Sequence, residues 1–137
     1  MKMKVLILNP GEIIPREKSL TSKDNITLDL EDMQEIVNGR IEIPYISEEL
    51  YKKKIDMVVN EEGKIANLEN SLFILDKNNK ILDIIAGSIL FCGVGEEGTS
   101  IGLTDEQIKF IKESINEHSK VNVDGEIKNY YLPSLIV

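Results

Sequence analysis

The stretch from Leu28 to Ile46 constrains the fold most, because a helical pattern stops at a glycine and a strand pattern starts at once. Asp29 is a natural N-cap, since a short side-chain oxygen accepts from the amides that open a helix. Leu28 and Met33 stand at the spacing of a hydrophobic staple. Leu30, Met33, Ile36 and Val37 recur at helical spacing and leave Glu31, Asp32 and Glu35 to water. Asn38-Gly39 ends the helix, with the glycine expected to supply the left-handed conformation. Beyond Arg40, Ile41, Ile43 and Tyr45 alternate with Glu42 and Pro44, as in a half-buried strand. Pro44 cannot donate to a ladder, so it marks an edge, a bulge or the strand's end. One apolar stripe followed directly by one apolar face calls for a helix packed on a sheet.

The rest of the chain reads as strands and hairpins around one further helix. Lys4 to Leu8 is a short buried strand stopped by Asn9-Pro10-Gly11, and Glu12 to Lys18 is a second strand held to an edge by Pro15. Ser19 to Asn25 reads as a loop, and Ser47 to Lys54 is helix-compatible with Leu50 and Tyr51 as anchors. Ile55 to Asn60 and Lys64 to Leu68 flank Glu61-Glu62-Gly63 as a hairpin. Leu72 to Asp76 and Lys80 to Ile85 form another, since asparagine in the turn tolerates positive φ. Ser88 to Val94 is nearly all apolar, as a central strand buried on both faces would be. Thr104 and Gln107 have the spacing of a capping box, Leu103 and Ile108 that of a staple. Ile108, Ile111 and Ile115 make this helix's inner stripe, with Phe110 at its margin. Asp124-Gly125 is a hairpin turn in the tail.

The expected fold is α+β: a single, mainly antiparallel sheet of about five to seven strands with two principal helices, Leu30–Asn38 and Asp105–Glu117. A length of 137 residues suits one domain, with residues 118–137 as a hairpin and tail extension. Six large apolar groups lie between Tyr130 and Val137, the composition of an interface core. The tail is therefore expected to join copies of the chain into a homo-oligomer.

Charge and cysteine content narrow the function classes. The formal net charge is −8 and the only arginines are Arg16 and Arg40, which argues against binding a phosphate backbone. No apolar run approaches the roughly 20 residues of a membrane span. The run Val5 to Leu8 is too short for a secretory signal and breaks at Asn9-Pro10. A single cysteine excludes an internal disulfide and fits the cytoplasm of a host cell.

Chemical motifs fail on inspection. Gly93-Val94-Gly95-Glu96-Glu97-Gly98 has the three glycines of a dinucleotide loop, but that loop must open a helix onto pyrophosphate. Here the following residues look extended, and Glu96-Glu97 would repel phosphate. Asp76-Lys77-Asn78-Asn79 starts like a calcium loop, yet Lys80, Ile81 and Gly87 stand where an acceptor, a glycine and a bidentate glutamate are needed. Cys92 and His118 are the only thiol and imidazole, and a lone cysteine in an apolar strand reads as core packing. One nitrogen and one sulfur ligand exclude a structural zinc site. No catalytic residue, metal ligand or cofactor is assigned.

Several segments, in order, carry a resemblance: Lys4-Val5-Leu6-Ile7 running into Pro10-Gly11, Leu30 through Gly39 with Ile41-Glu42, Asn60-Glu61-Glu62-Gly63-Lys64, Asp83-Ile84-Ile85-Ala86-Gly87, and Leu103 through Gln107. Over residues 1 to about 112 the chain resembles a family of small proteins from phages, plasmids and integrative elements of Gram-positive bacteria, catalogued as a domain of unknown function. Leu68 to Ile74 lacks the proline-asparagine-arginine segment that this family usually shows. The resemblance implies a mobile-element origin and an accessory role, and no chemistry.

The expected function is that of a non-enzymatic phage or mobile-element protein acting in counter-defence by binding. It would sequester a small signalling nucleotide or mask a host defence protein, with neither nucleic acid nor membrane as partner. Arg40, Asn60, Lys64 and Asn67 are the candidate ligand-binding residues near one strand end, because a phosphate needs donors. The second class is a small hydrolase using Cys92 and His118 or paired carboxylates. The third is an acidic regulator that mimics nucleic acid.

Overall fold

The computed structural model describes residues 2–137. The chain runs β1 (Met3–Leu8), β2 (Arg16–Leu20), α1 (Leu30–Val37), β3 (Ile41–Glu42), α2 (Glu48–Lys52), β4 (Ile55–Asn60) and β5 (Asn70–Leu75). It continues through β6 (Ile81–Ala86), β7 (Ile89–Val94), β8 (Ser100–Ile101), α3 (Asp105–Ser114), β9 (Ile115–Asn116), β10 (Ser119–Val123), β11 (Glu126–Tyr130) and β12 (Ser134–Ile136).

Side chains that alternate along a strand face opposite ways, and here that alternation sorts the apolar residues into layers. The central strand β7 pairs antiparallel with β1 on one side and β4 on the other. Its Leu90 and Cys92 pack with Val5 and Ile7 of β1, Val58 of β4, and Met33 and Val37 of α1. Its Ile89 and Phe91 face the other way, with Leu6, Leu8, Met57 and Val59. That inner core is closed by Leu72 and Ile74 of β5, Leu135 of β12, and Ile108 and Ile111 of α3. The alternate residues of β5, Phe73 and Leu75, meet Val121 of β10 in a third cluster. The layers are therefore α1, a first sheet, a second sheet flanked by α2 and α3, and the β10–β11 ribbon.

The single sheet of the sequence reading is corrected to three. The first has six strands in the order β2-β1-β7-β4-β3 with β8 beside β7; the second is β6-β5-β12-β9; the third is the ribbon β10-β11. A second sheet forms because β5 is buried on both faces and so needs two apolar partners. All the pairings are antiparallel except β12 with β5. The tail, expected to join copies of the chain, contributes a strand to the chain's own second sheet. β12 inserts between β5 and β9, and Leu135 is 5% exposed.

Local signals held where the apolar pattern was strong. Thr104 and Gln107 form the capping box, and Gln107 Nε2 also donates to the carbonyls of Lys53 and Lys54, which ties α3 to the end of α2. The helix stops at Ser114 rather than Glu117, because Ile115 turns extended to pair with Leu135. Other expectations are corrected. Asp29 occupies the N-cap of α1 without a side-chain hydrogen bond, and Leu30 lies half exposed rather than in the stripe. The left-handed residue that ends α1 is Asn38, at φ 61°, not Gly39. The strand expected up to Tyr45 is the two residues of β3, and the strand expected at Glu12 starts at Arg16, after Pro15. Lys64 to Leu68 is no strand, since Ala66 N–H and Leu68 N–H are taken within the loop by the carbonyls of Glu62 and Gly63.

Candidate functional site

A strand end, a helix end and a tight loop meet at Asn60. Its amide Nδ2 donates to the carbonyls of Val37 and Asn38, each at 3.0 Å, and its Oδ1 accepts from Glu62 N–H at 2.8 Å. Asn60 thus satisfies carbonyls that the end of α1 leaves without helical partners. This explains Gly39, where a Cβ would stand 2.7 Å from Asn60 Nδ2. Asn60→Ala should cost about 1–2 kcal/mol, the net worth of its three hydrogen bonds, one of them partly buried. Urea unfolding reads this, and an unchanged midpoint would show that water replaces the amide.

The loop that follows lies hard against β6. A Cβ on Gly63 would stand 2.7 Å from the carbonyl oxygen of Ala86, so only glycine permits this approach. Between the loop, the end of β3 and β6 runs a groove of about 250 Å3. Glu42 and Pro44 form one wall, Val59 and Ile85 its apolar base, and Lys64, Ile65 and Asp83 the rim. The Lys64 ammonium is already paired with the Asp83 carboxylate. Glu42, Glu61 and Asp83 outnumber that one cation, so the lining carries a net negative formal charge.

The four candidate residues divide between lining and support. Asn60 and Lys64 line the groove. Arg40 is exposed, and its carbonyl holds Glu61 N–H at 2.8 Å. Asn67 takes a left-handed φ of 59° and donates its N–H to Lys64 O, which shapes the loop. Sequence reasoning sought donors for phosphate and so passed over Glu42, Asp83 and Ile65. The available signal was Asp83 itself, the one charge on an otherwise apolar strand.

The thiol and imidazole are not brought together. Cys92 is fully buried in the layer under α1, while His118 sets its ring edge-on to Tyr131 with centroids 5.4 Å apart. Burial, then the charge of Asp56 opposite, push the Cys92 thiol up to about 12 against a weaker pull from the Ser100 hydroxyl. A thiol so placed carries almost no thiolate at neutral pH, and thiolate is the nucleophile. Asp56 itself is half-buried, and burial raises its carboxyl above 3.8. A raised native value means that its contribution to stability is complete below pH 3.8 and lost as pH rises through that native value. Asp56→Asn should therefore flatten the fall in urea midpoint with rising pH above 3.8; an unaltered slope would assign that fall to other groups.

Gly95 to Gly98 closes as a single 3-10 turn, Glu96–Gly98, which runs into β8 and opens no α-helix. No helix among the described residues is long and apolar enough to cross a membrane. Among the family models, one described as a domain of unknown function, DUF3846, matches residues 3–116. Comparison with the curated proteins and with the solved structures finds no match.

Proposed function

The chain belongs to the family described as a domain of unknown function, DUF3846, and from its groove we propose that it is a non-enzymatic binding protein that masks a protein partner. The observation that carries this reading is the excess of carboxylates over cations between β3 and β6, beside the exposed Ile65. Basic and apolar side chains of a protein match that lining, whereas a nucleotide's phosphates do not. Residues 60–64 and 83–87, two of the segments that carry the resemblance, adjoin at this groove. The resemblance to proteins of phages and mobile elements supports a counter-defence setting, with a host protein in the host cytoplasm as the one masked. The reading needs no cofactor.

Native mass spectrometry of the protein, incubated with cyclic dinucleotides and cyclic ADP-ribose-type signals, tests it. The expected result is no nucleotide adduct and no altered nucleotide in solution. A stoichiometric nucleotide adduct would replace masking with sequestration, and a converted nucleotide would make the protein an enzyme.

A further inference from the structure

Among the described residues, the strand β6 is an edge with β5 on one side and no strand on the other. Which of its backbone groups face outward follows from the register. Phe73 N–H donates to Pro133 O at 2.9 Å, toward β12, so Phe73 turns its peptide groups away from β6. Phe73 is paired with Ile84, which makes theirs a non-hydrogen-bonded pair and turns the N–H and C=O of Ile84 to the open edge. There Ile84 N–H is taken at 2.8 Å by the carboxylate of Asp83, the same carboxylate that holds Lys64. At Ile84 the edge is thus closed by a surface side chain rather than a neighbouring strand, while at Ala86 the loop around Gly63 lies against it.

Edge strands are ordinarily blunted by charge, proline or shortness. β2 carries Arg16, Glu17 and Lys18, β3 has two residues followed by Pro44, and β9 has two residues. β6 has six residues with Asp83 as its only charge, and Leu82 is 58% exposed. Ile65, 87% exposed, stands on the loop beside it.

We propose that β6 receives an extended segment of the partner protein as an added strand, one that alternates basic with apolar side chains. Its carbonyl takes over Ile84 N–H, its cation takes the place of Lys64 on Asp83, and its apolar groups cover Leu82 and Ile65. Main-chain bonds hold such a segment and alternate side chains select it. A second copy of this chain does not fit, since a chain of net charge −8 would bring more carboxylates to an acidic groove. The inference rests on the masking reading above and adds the chemistry and geometry of what is bound.

Three capped eight-residue peptides test it: one alternating valine and arginine, one alternating valine and glutamate, and the first again with alternate backbone amides N-methylated. Titration at low salt should show the arginine peptide binding at least about tenfold tighter than the glutamate peptide, because opposite charge across a groove sets selectivity. N-methylation should weaken it at least as much, and so should Asp83→Lys, whereas Glu17→Lys on the β2 edge should leave it unchanged. Hydrogen exchange should slow at Ile84. If the N-methylated peptide binds as well as its parent, strand addition is wrong and masking through the groove survives. Slowing at the β2 edge, or no binding of the arginine peptide, overturns the inference outright. A nucleotide adduct in the earlier experiment instead removes the masking reading on which it rests.

Discussion

Deleting residues 130–137 will unfold the protein rather than release a folded monomer from an assembly. The deletion removes β12 from between β5 and β9, so it cuts the second sheet through its middle. Leu135 leaves the inner core, and burial of such a side chain is worth about 1.5–3 kcal/mol. The backbone loses the bonds from Phe73 N–H to Pro133 O and from Val137 N–H to Leu75 O, as well as the β12 ladders. Tyr130 also leaves its edge-on contact with Phe73, with centroids 5.3 Å apart. Together these approach the whole stability of a small domain, about 5–15 kcal/mol. Loss of the cooperative thermal transition in circular dichroism is expected. A truncated chain that melts like the intact one would show that the tail is an appendage.

Phe91→Ala is the second large effect. Phe91 is 1% exposed at the centre of β7, opposite Leu6 of β1 and Met57 of β4, in the core between the two sheets. Its neighbours are held by strands on both sides and cannot collapse into the space. A loss of about 3–5 kcal/mol is expected, the range for truncating a buried aromatic ring. Phe110→Ala, at the half-buried margin of α3, should cost far less. Urea unfolding of the two variants compares them directly, and equal losses would place the core elsewhere.

The layers that could be read from the sequence were those whose signals are local. The capping box at Thr104, the double-sided apolar run of β7 and the Asp124-Gly125 turn all come from residues a few positions apart. The second sheet was not legible, because its defining contact is a parallel pairing between residues 73–75 and residues 134–136. No local pattern announces such a pairing, and an apolar tail looks the same whether it covers its own sheet or another chain. The site was half legible for a similar reason. Asn60 and Lys64 were found as polar residues near a strand end, but Asn60 caps α1, a contact that spans 23 residues of sequence. Asp83 gained its meaning only when the loop folded back onto β6 and set Lys64 against it.

The claim that binding occurs in the groove between β3 and β6 is tested most directly by reversing its charge. Glu42→Lys and Asp83→Lys together alter exposed side chains, whose ion pairs contribute about 0–1 kcal/mol, so the melting temperature should barely move. Wild-type and doubly reversed protein, expressed in host cells and purified side by side, are compared for the host protein each retains. The account predicts that the wild type holds a partner in stoichiometric amount and that the reversed protein, equally folded, has lost it. Equal retention by both would contradict the account and move the binding surface off this groove.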